Sequence, residues 1–110
     1  MALHNFRLNQ SSFATISTGA QTIELRLYDE KRRLVRPSDR IFFDYYEKSC
    51  AADVAGLSIS DSFANLCKMI NVPDTCWRDS DELVSGMKNY YSDAEQKKHG
   101  VIGIHLRLVR

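Results

Sequence analysis

The most informative segment of the chain spans residues 19–27 and has the sequence Gly19-Ala20-Gln21-Thr22-Ile23-Glu24-Leu25-Arg26-Leu27. From position 22 onward, polar and apolar side chains alternate strictly. Because successive side chains of a β-strand point to opposite faces, this pattern predicts a strand with one buried face, formed by the isoleucine and the two leucines. Glu24 and Arg26 would share the other face, about 7 Å apart.

The residues on either side of this strand predict a regular succession of elements. A short strand over Leu3–Leu8 and a short helix over Asn9–Thr18 precede it, with Gly19 suited to the position after the helix. The charged run that follows, Tyr28–Arg36, predicts a turn or a single helical turn. Two further strands are expected over Arg40–Tyr46 and about Ser49–Ser60, the second with a bulge at its glycine.

The C-terminal half predicts three helices and a last strand. The first helix would begin at an aspartate cap and continue through Met69 and Ile70 until Pro73 ends it. Two capping patterns, Asp-x-x-Glu and Ser-x-x-Glu, predict the starts of the other two. The expected bounds are Asp61 to Pro73, Asp79–Tyr91, Ser92 to Gly100 and, for the strand, Val101–Val109.

Four or five strands with helices between them, and no regular βαβ alternation, indicate an α+β fold. A sheet this small is expected to curl into a small barrel with inserted helices, because curling protects its edges. The 110 residues are the usual size of a single domain, and 44% hydrophobic with 26% charged residues is typical of a globular chain. We therefore expect one domain over residues 1–110.

Composition also limits the functional classes. No apolar run is long enough to span a bilayer and no secretory leader opens the sequence, so we expect a cytoplasmic protein without a membrane partner. Three cysteines at irregular spacing argue against a disulfide framework. The three histidines form no ligand pattern with them, so neither a metal nor another cofactor is expected. The oligomeric state stays open.

The segment from Gly19 to Arg26 resembles G-x-K-x-x-E-x-R, the signature of ASCH domains. The similarity continues through Leu27–Arg33 and through Pro37–Ile41, where Ser38 replaces a common glycine. A closing segment, Tyr90–Ser92 followed by residues 100–104, is similar as well. The chain is thus identified as resembling a small, single-domain, bacterial-type ASCH member. This resemblance implies a PUA-like mixed β-barrel with a cleft beside the signature strand.

The resemblance also implies a functional context. The superfamily is associated with RNA and modified nucleosides, and some small members resemble amidohydrolases that deacylate acetylated cytidine or, in one case, a ribonuclease. In the amidohydrolase-like members the signature lysine activates a threonine. Here those positions hold Gln21 and Glu24. The side-chain amide of Gln21 cannot accept a proton, so it cannot act as the general base of that reaction. A binding domain for RNA or a nucleoside-like ligand is therefore favoured over a hydrolase, while catalytic residues stay unassigned and a protein-interaction domain stays open.

The candidate ligand-binding residues fall into three groups. Gln21, Glu24 and Arg26 would line the cleft, since a carboxylate can accept from a base and a guanidinium can hold a phosphate or carbonyl. Cations of the charged run would attract phosphate. Stacking could come from tyrosines 45, 46, 90 and 91. From the last two groups we single out Lys31, Arg32, Arg33 and Tyr90. The alternatives are a structural ion pair, a charge-neutralised turn and ordinary aromatic packing.

Overall fold

The computed structural model describes residues 1–110. Its five strands are β1 (Leu3–Arg7), β2 (Ile23–Leu27), β3 (Arg40–Tyr45), β4 (Lys48–Ser60) and β5 (Val101–Leu108). They form one sheet in the order β1-β3-β4-β5-β2. β1 is parallel to β3, whereas every other neighbouring pair is antiparallel. The predicted α+β fold, a small mixed sheet that curls with helices inserted between its strands, is confirmed in the form of an open half-barrel.

The half-barrel leaves a gap between its two edge strands. β1 is paired only with β3, and β2 only with β5. We call this gap between the unpaired edges of β1 and β2 the seam. Because no ladder bridges it, the backbone groups along it need other partners.

Two apolar cores cover the two faces of the sheet. The first contains Phe6, Phe43, Ile102 and Ile104. The second contains the apolar side chains of β2 together with those of the helices that follow β4. The expectation that β2 has a single buried face is therefore wrong. Its alternate side chains face different cores, and even Glu24 is only 6% exposed.

Three of the four helices begin where the capping residues predict. The four are α1 (Gln10–Ser17), α2 (Phe63–Leu66), α3 (Ser80–Met87) and α4 (Asp93–His99). The side chain of Asn9 accepts from the amide of Ser12 to cap α1, and Ser92 forms a complete capping box with Glu95 at α4. Gly19, just beyond α1, has a φ of +83°, a conformation that side chains with a Cβ adopt only with strain.

The predicted helix from Asp61 to Pro73 is wrong in its cap and its length. Ser62 is the N-cap, because the carboxylate of Asp61 instead accepts from the side-chain amide of Asn65 at 2.7 Å. The helix ends at Leu66, and Met69, expected on its buried face, is 54% exposed. A 3₁₀ turn over Val72–Thr75 follows.

The helix predicted over Asp79–Tyr91 is too long, because α3 ends at Met87. Two other local predictions are confirmed. The single helical turn of the charged run is a 3₁₀ turn over Arg32–Leu34. The register of β4 against β5 shifts between Val54 and Gly56, which is the expected bulge. None of the helices has the length and apolar content that crossing a bilayer requires.

Candidate functional site

Side chains, rather than a β-ladder, satisfy the β1 edge of the seam. Lys31 donates from Nζ to the carbonyl oxygen of Asn5 at 2.7 Å. Arg26 donates from Nη2 to the carbonyl oxygen of Arg7 at 3.0 Å. Two carbonyls of an unpaired strand edge are thus bound by cations, which make stronger hydrogen bonds than neutral donors.

The β2 edge is satisfied in the same way. Gln21 donates from Nε2 to the carbonyl oxygen of Ile23 at 2.9 Å, and the amide of Leu25 donates to Glu24 Oε1 at 3.2 Å. Each of these polar side chains therefore bonds a backbone group at the seam. Among the bonds at the two edges, the one from Arg26 to the carbonyl oxygen of Arg7 joins β2 to β1.

Glu24 and Arg26 form a nearly buried ion pair. Oε2 of the glutamate accepts from the arginine at 3.1 Å (Nε) and 2.9 Å (Nη2). Both carboxylate oxygens are thus engaged, as a buried charge requires. Nη1 of Arg26 makes no hydrogen bond in the structure, and it is not enclosed. Its two N–H groups are therefore donors without an acceptor in the protein.

Gln21 is bound at both ends of its amide. Its Oε1 accepts from the hydroxyl of Thr15 at 2.8 Å, while its Nε2 is held by Ile23. This geometry fixes the amide orientation, because the oxygen faces a donor and the nitrogen faces an acceptor. Gln21 therefore positions α1 against β2 and has no lone pair basic enough to take a proton.

A cavity of about 440 Å³ opens beside the seam. Its volume lies within the range of ordinary small-molecule sites. It combines hydroxyl, amide and charged groups with aromatic and aliphatic side chains. Its lining consists of Arg7, Leu8, Asn9, Ser11, Ser12, Thr15, Gln21, Glu24, Leu25, Arg26, Thr75, Cys76, Trp77, Met87, Tyr90 and Tyr91.

Three aromatic side chains, Trp77, Tyr90 and Tyr91, line this cavity. Tyr90 is 58% exposed. Tyr91 packs on Phe63 with the two ring centroids 6.4 Å apart, and burial raises the pKa of its hydroxyl. The phenol therefore stays protonated at neutral pH and can donate a hydrogen bond.

Trp77 owes its position to the glycine in α3. A Cβ at Gly86 would clash with the indole ring, so only glycine lets the helix approach the ring this closely. Trp77 is also the only tryptophan of the chain. Its fluorescence can therefore report on the cavity alone.

Three cations of the charged run, Lys31, Arg32 and Arg33, pack on aromatic rings and do not line the cavity. The charged groups of Arg26, Lys31 and Arg32 lie 5.1, 5.1 and 5.2 Å from the ring centroid of Phe6. Burial, aided by the neighbouring arginine charges, lowers the pKa of Lys31. Arg33 stacks at 4.3 Å on a tyrosine ring and donates to the carbonyl of His99.

The cavity brings together four of the seven residues singled out from the sequence: Gln21, Glu24, Arg26 and Tyr90. The other three, Lys31, Arg32 and Arg33, do not line it. Sequence reasoning missed Arg7 and Trp77. The single tryptophan was a usable signal, whereas Arg7 reaches the cavity only because the half-barrel brings the end of β1 to the seam.

The protein belongs to the α+β class, because its half-barrel has helices between the strands. It has a cavity of small-ligand size at the seam, lined by polar and aromatic side chains. Solved structures place it more closely. The crystal structure of the hypothetical protein PH0355 is similar over 99% of this chain and 100% of that chain, with a TM-score of 0.86 and 27% identity. Protein PF0455 from Pyrococcus furiosus is similar over 100% and 99%, with a TM-score of 0.77 and 24% identity.

The ASCH protein from Zymomonas mobilis has the same fold. It matches with a TM-score of 0.66 and 18% identity, over 94% of this chain and 65% of that protein. The chain therefore has an ASCH-type fold, and the expectation drawn from residues 19–26 is confirmed at that level. No family model matches the sequence, and no curated protein does.

Proposed function

We propose that this chain is a binding domain for a nucleoside unit, either free or within RNA, and that the cavity at the seam holds it. The observation that carries the proposal is that Arg26, whose Nη1 makes no hydrogen bond within the protein, lines a cavity together with Trp77, Tyr90 and Tyr91. A guanidinium edge can donate twice to a base carbonyl or a phosphate, and aromatic rings can stack on the base. Arg7 and Arg26 against Glu24 leave the lining one positive charge in excess, which suits such a ligand.

The ion pair gives the proposal its chemical specificity. Glu24 Oε2 accepts from both Nε and Nη2 of Arg26, so the orientation of the guanidinium plane and of its open Nη1 is fixed. A fixed donor binds with less loss of side-chain entropy than a mobile one. Glu24 therefore acts through Arg26, and the direct polar contacts to a ligand fall to Arg26 and to the hydroxyl groups of α1.

Hydrolysis is the alternative function, and the contacts of Gln21 count against it. The position that holds a lysine in the ASCH signature carries an amide bonded at both ends. Glu24 is likewise bound through both oxygens. Neither side chain is free to deprotonate a nucleophile or water, so a domain that binds without turnover fits the cavity better.

We also propose a cytoplasmic location. The three cysteines, Cys50, Cys67 and Cys76, are unpaired, and burial raises the thiol pKa of the first two. Unpaired thiols of low reactivity suit a reducing compartment.

The test is a titration of the four common nucleosides and their 5′-monophosphates at low salt, followed by Trp77 fluorescence and by calorimetry. We expect quenching and measurable heat for at least one base. Tyr90→Ala should weaken binding several-fold without unfolding the chain, because the side chain is exposed. Arg26→Ala should weaken it more than Arg36→Ala, a control outside the cavity lining. Flat titrations with nucleosides, nucleotides and short RNAs alike would remove the proposal.

A further inference from the structure

A second groove adjoins the cavity. It is lined by Arg7, Leu8, Asn9, Gln10, Asp44, Tyr45 and Tyr46, so residues 7–9 form a wall common to both hollows. The cavity has room for one base. Through the shared wall it continues into the second groove, which is also lined by polar and aromatic side chains. A ligand larger than a nucleoside would extend from the cavity, past residues 7–9, into the groove.

Tyr46 is the unusual residue of the groove. Its side chain is 89% exposed, and its φ is +51°, in the left-handed region that bulky side chains rarely occupy. Within the protein its ring makes one aromatic contact, edge-on to Tyr45 with centroids 4.8 Å apart. The packing of this ring therefore contributes little free energy to offset the backbone strain at Tyr46. A flat ring in this position offers a free face for stacking.

Arg7 lies between the two hollows. Its side chain is exposed and makes neither an ion pair nor a hydrogen bond, although its carbonyl is held by Arg26. Next to it, the amides of Gln10 and Ser11 at the start of α1 have no hydrogen-bond acceptor. An unpaired guanidinium beside free helix N-terminal amides favours an anion. Asp44, which also lines the groove, instead favours the amino group of a base.

We propose that Arg7 and Tyr46 form a second nucleotide subsite, so that the domain binds at least two consecutive nucleotides of a single-stranded oligonucleotide. One base occupies the cavity, the linking phosphate lies at Arg7, and the next base stacks on Tyr46. The inference rests on the proposed function, because it extends the same site. It names the ligand as a chain of nucleotides rather than a free nucleoside.

The test compares a nucleoside, its monophosphate and RNA dinucleotides of the preferred base by calorimetry and Trp77 quenching. The dinucleotide should bind about tenfold more tightly than the nucleoside, as one added stacked base and one phosphate contact allow. Tyr46→Ala should abolish this gain and leave nucleoside affinity unchanged. Arg7→Ala should weaken the dinucleotide several-fold and reduce the slope of log affinity against log salt by about 0.7.

Matched variants separate binding from folding. Tyr46→Phe should keep the gain because the ring remains. Tyr46→Gly should raise the melting temperature by relieving the positive φ, yet lose the gain. Arg107→Ala removes an exposed arginine of β5 outside both hollows and should change nothing.

The outcomes distinguish the two proposals. Nucleoside binding with no gain for the dinucleotide overturns the subsite and leaves the cavity standing. Equal losses for Arg7→Ala and Arg107→Ala overturn it as well. A third outcome is dinucleotide binding that needs Tyr46 but neither quenches Trp77 nor weakens in Tyr90→Ala. This result would support the subsite and contradict binding of the other base in the cavity.

Discussion

Arg26 Nη2 lies 3.0 Å from the carbonyl oxygen of Arg7, and this is the only hydrogen bond between the two edge strands of the half-barrel. The same guanidinium is bound to Glu24 and lines the cavity. One side chain therefore both bridges the seam and lines the cavity proposed to bind a ligand. Substitutions here should affect stability and affinity together.

The Glu24–Arg26 pair should show strong energetic coupling. Glu24→Ala or Arg26→Ala alone leaves a nearly buried charge without its partner, which should cost about 3 kcal/mol of unfolding free energy. The double variant should cost clearly less than the sum of the two, with a coupling above about 1 kcal/mol. Urea unfolding of the four proteins measures this.

The Arg40–Asp53 pair, about one-third exposed, is the matched control for that cycle. Solvent screens its charges, so its coupling should be much smaller. Equal couplings for the two pairs would contradict the buried, cooperative role assigned to Glu24 and Arg26.

Gly86→Ala should destabilise the protein although alanine is the better helix former. Propensity alone would favour alanine by about 1 kcal/mol. The added Cβ, however, meets the indole of Trp77, and overpacking of this kind costs about 1–3 kcal/mol. We expect a lower melting temperature, a red-shifted Trp77 emission and weaker nucleoside binding. Ser85→Ala, on the exposed side of the same helix, is the control, and a stabilised Gly86→Ala protein would contradict the packing described.

Asp39 should make stability fall in acid. Its carboxylate accepts from His4 and from the amides of Ala2 and Arg36, and these bonds lower its pKa to about 2. The unfolded chain holds an ordinary aspartate with a pKa near 4. The stabilisation, on the order of 2 kcal/mol, is therefore complete above pH 4 and is lost as pH falls from about 4 to 2.

The measurement is urea unfolding at several pH values between 2 and 6. Asp39→Asn should remove this part of the acid dependence and lower stability at pH 6, since it takes away the anchor of the N-terminal end of β1. Asp81→Asn on the surface of α3 is the control. If the stability of Asp39→Asn fell between pH 4 and pH 2 as steeply as that of the unmodified protein, another titrating group would be responsible for the acid dependence.

Gln21→Lys restores the residue of the ASCH signature and tests the hydrolase alternative. The lysine would lose the two hydrogen bonds that Gln21 makes to Thr15 and Ile23 and would place an ammonium group in a nearly buried position. We expect a destabilisation of about 1–3 kcal/mol and no deacylation of an N-acetylated cytidine, because Glu24 still occupies the position of the threonine. Release of acetate by the variant, followed by chromatography, would instead indicate a fold competent for the reaction.

Local patterns predicted the strands and most of the helix starts because each depends on neighbouring residues. The alternation of β2, the capping box at Ser92 and the bulge at Gly56 are examples. The helix expected after Asp61 failed for a related reason. Its apolar spacing continued to Ile70. However, the side-chain amide of Asn65 donates to the carboxylate of Asp61, which was expected to cap the helix, and Met69 is exposed to solvent instead of packing in a core.

The site was predictable only where it lies on one strand. Glu24 and Arg26 are two residues apart, so their shared face follows from strand geometry. Arg7, Trp77 and Thr15 come from other elements and meet them only when the sheet curls. The bonds from Lys31 and Arg26 to the carbonyls of β1 depend on the same curling, and no pattern within one segment contains that information.

The side-chain bonds at the seam also affect how copies of the protein meet. A bare strand edge is a template onto which another molecule can add its own strand, which is how many β-proteins aggregate. Here Lys31 and Arg26 already bind the outward carbonyls of Asn5 and Arg7, and both are cationic. An incoming strand would have to displace two charge-assisted bonds and approach two positive charges. The open edge of β1 is thus protected against strand addition by another copy of the protein.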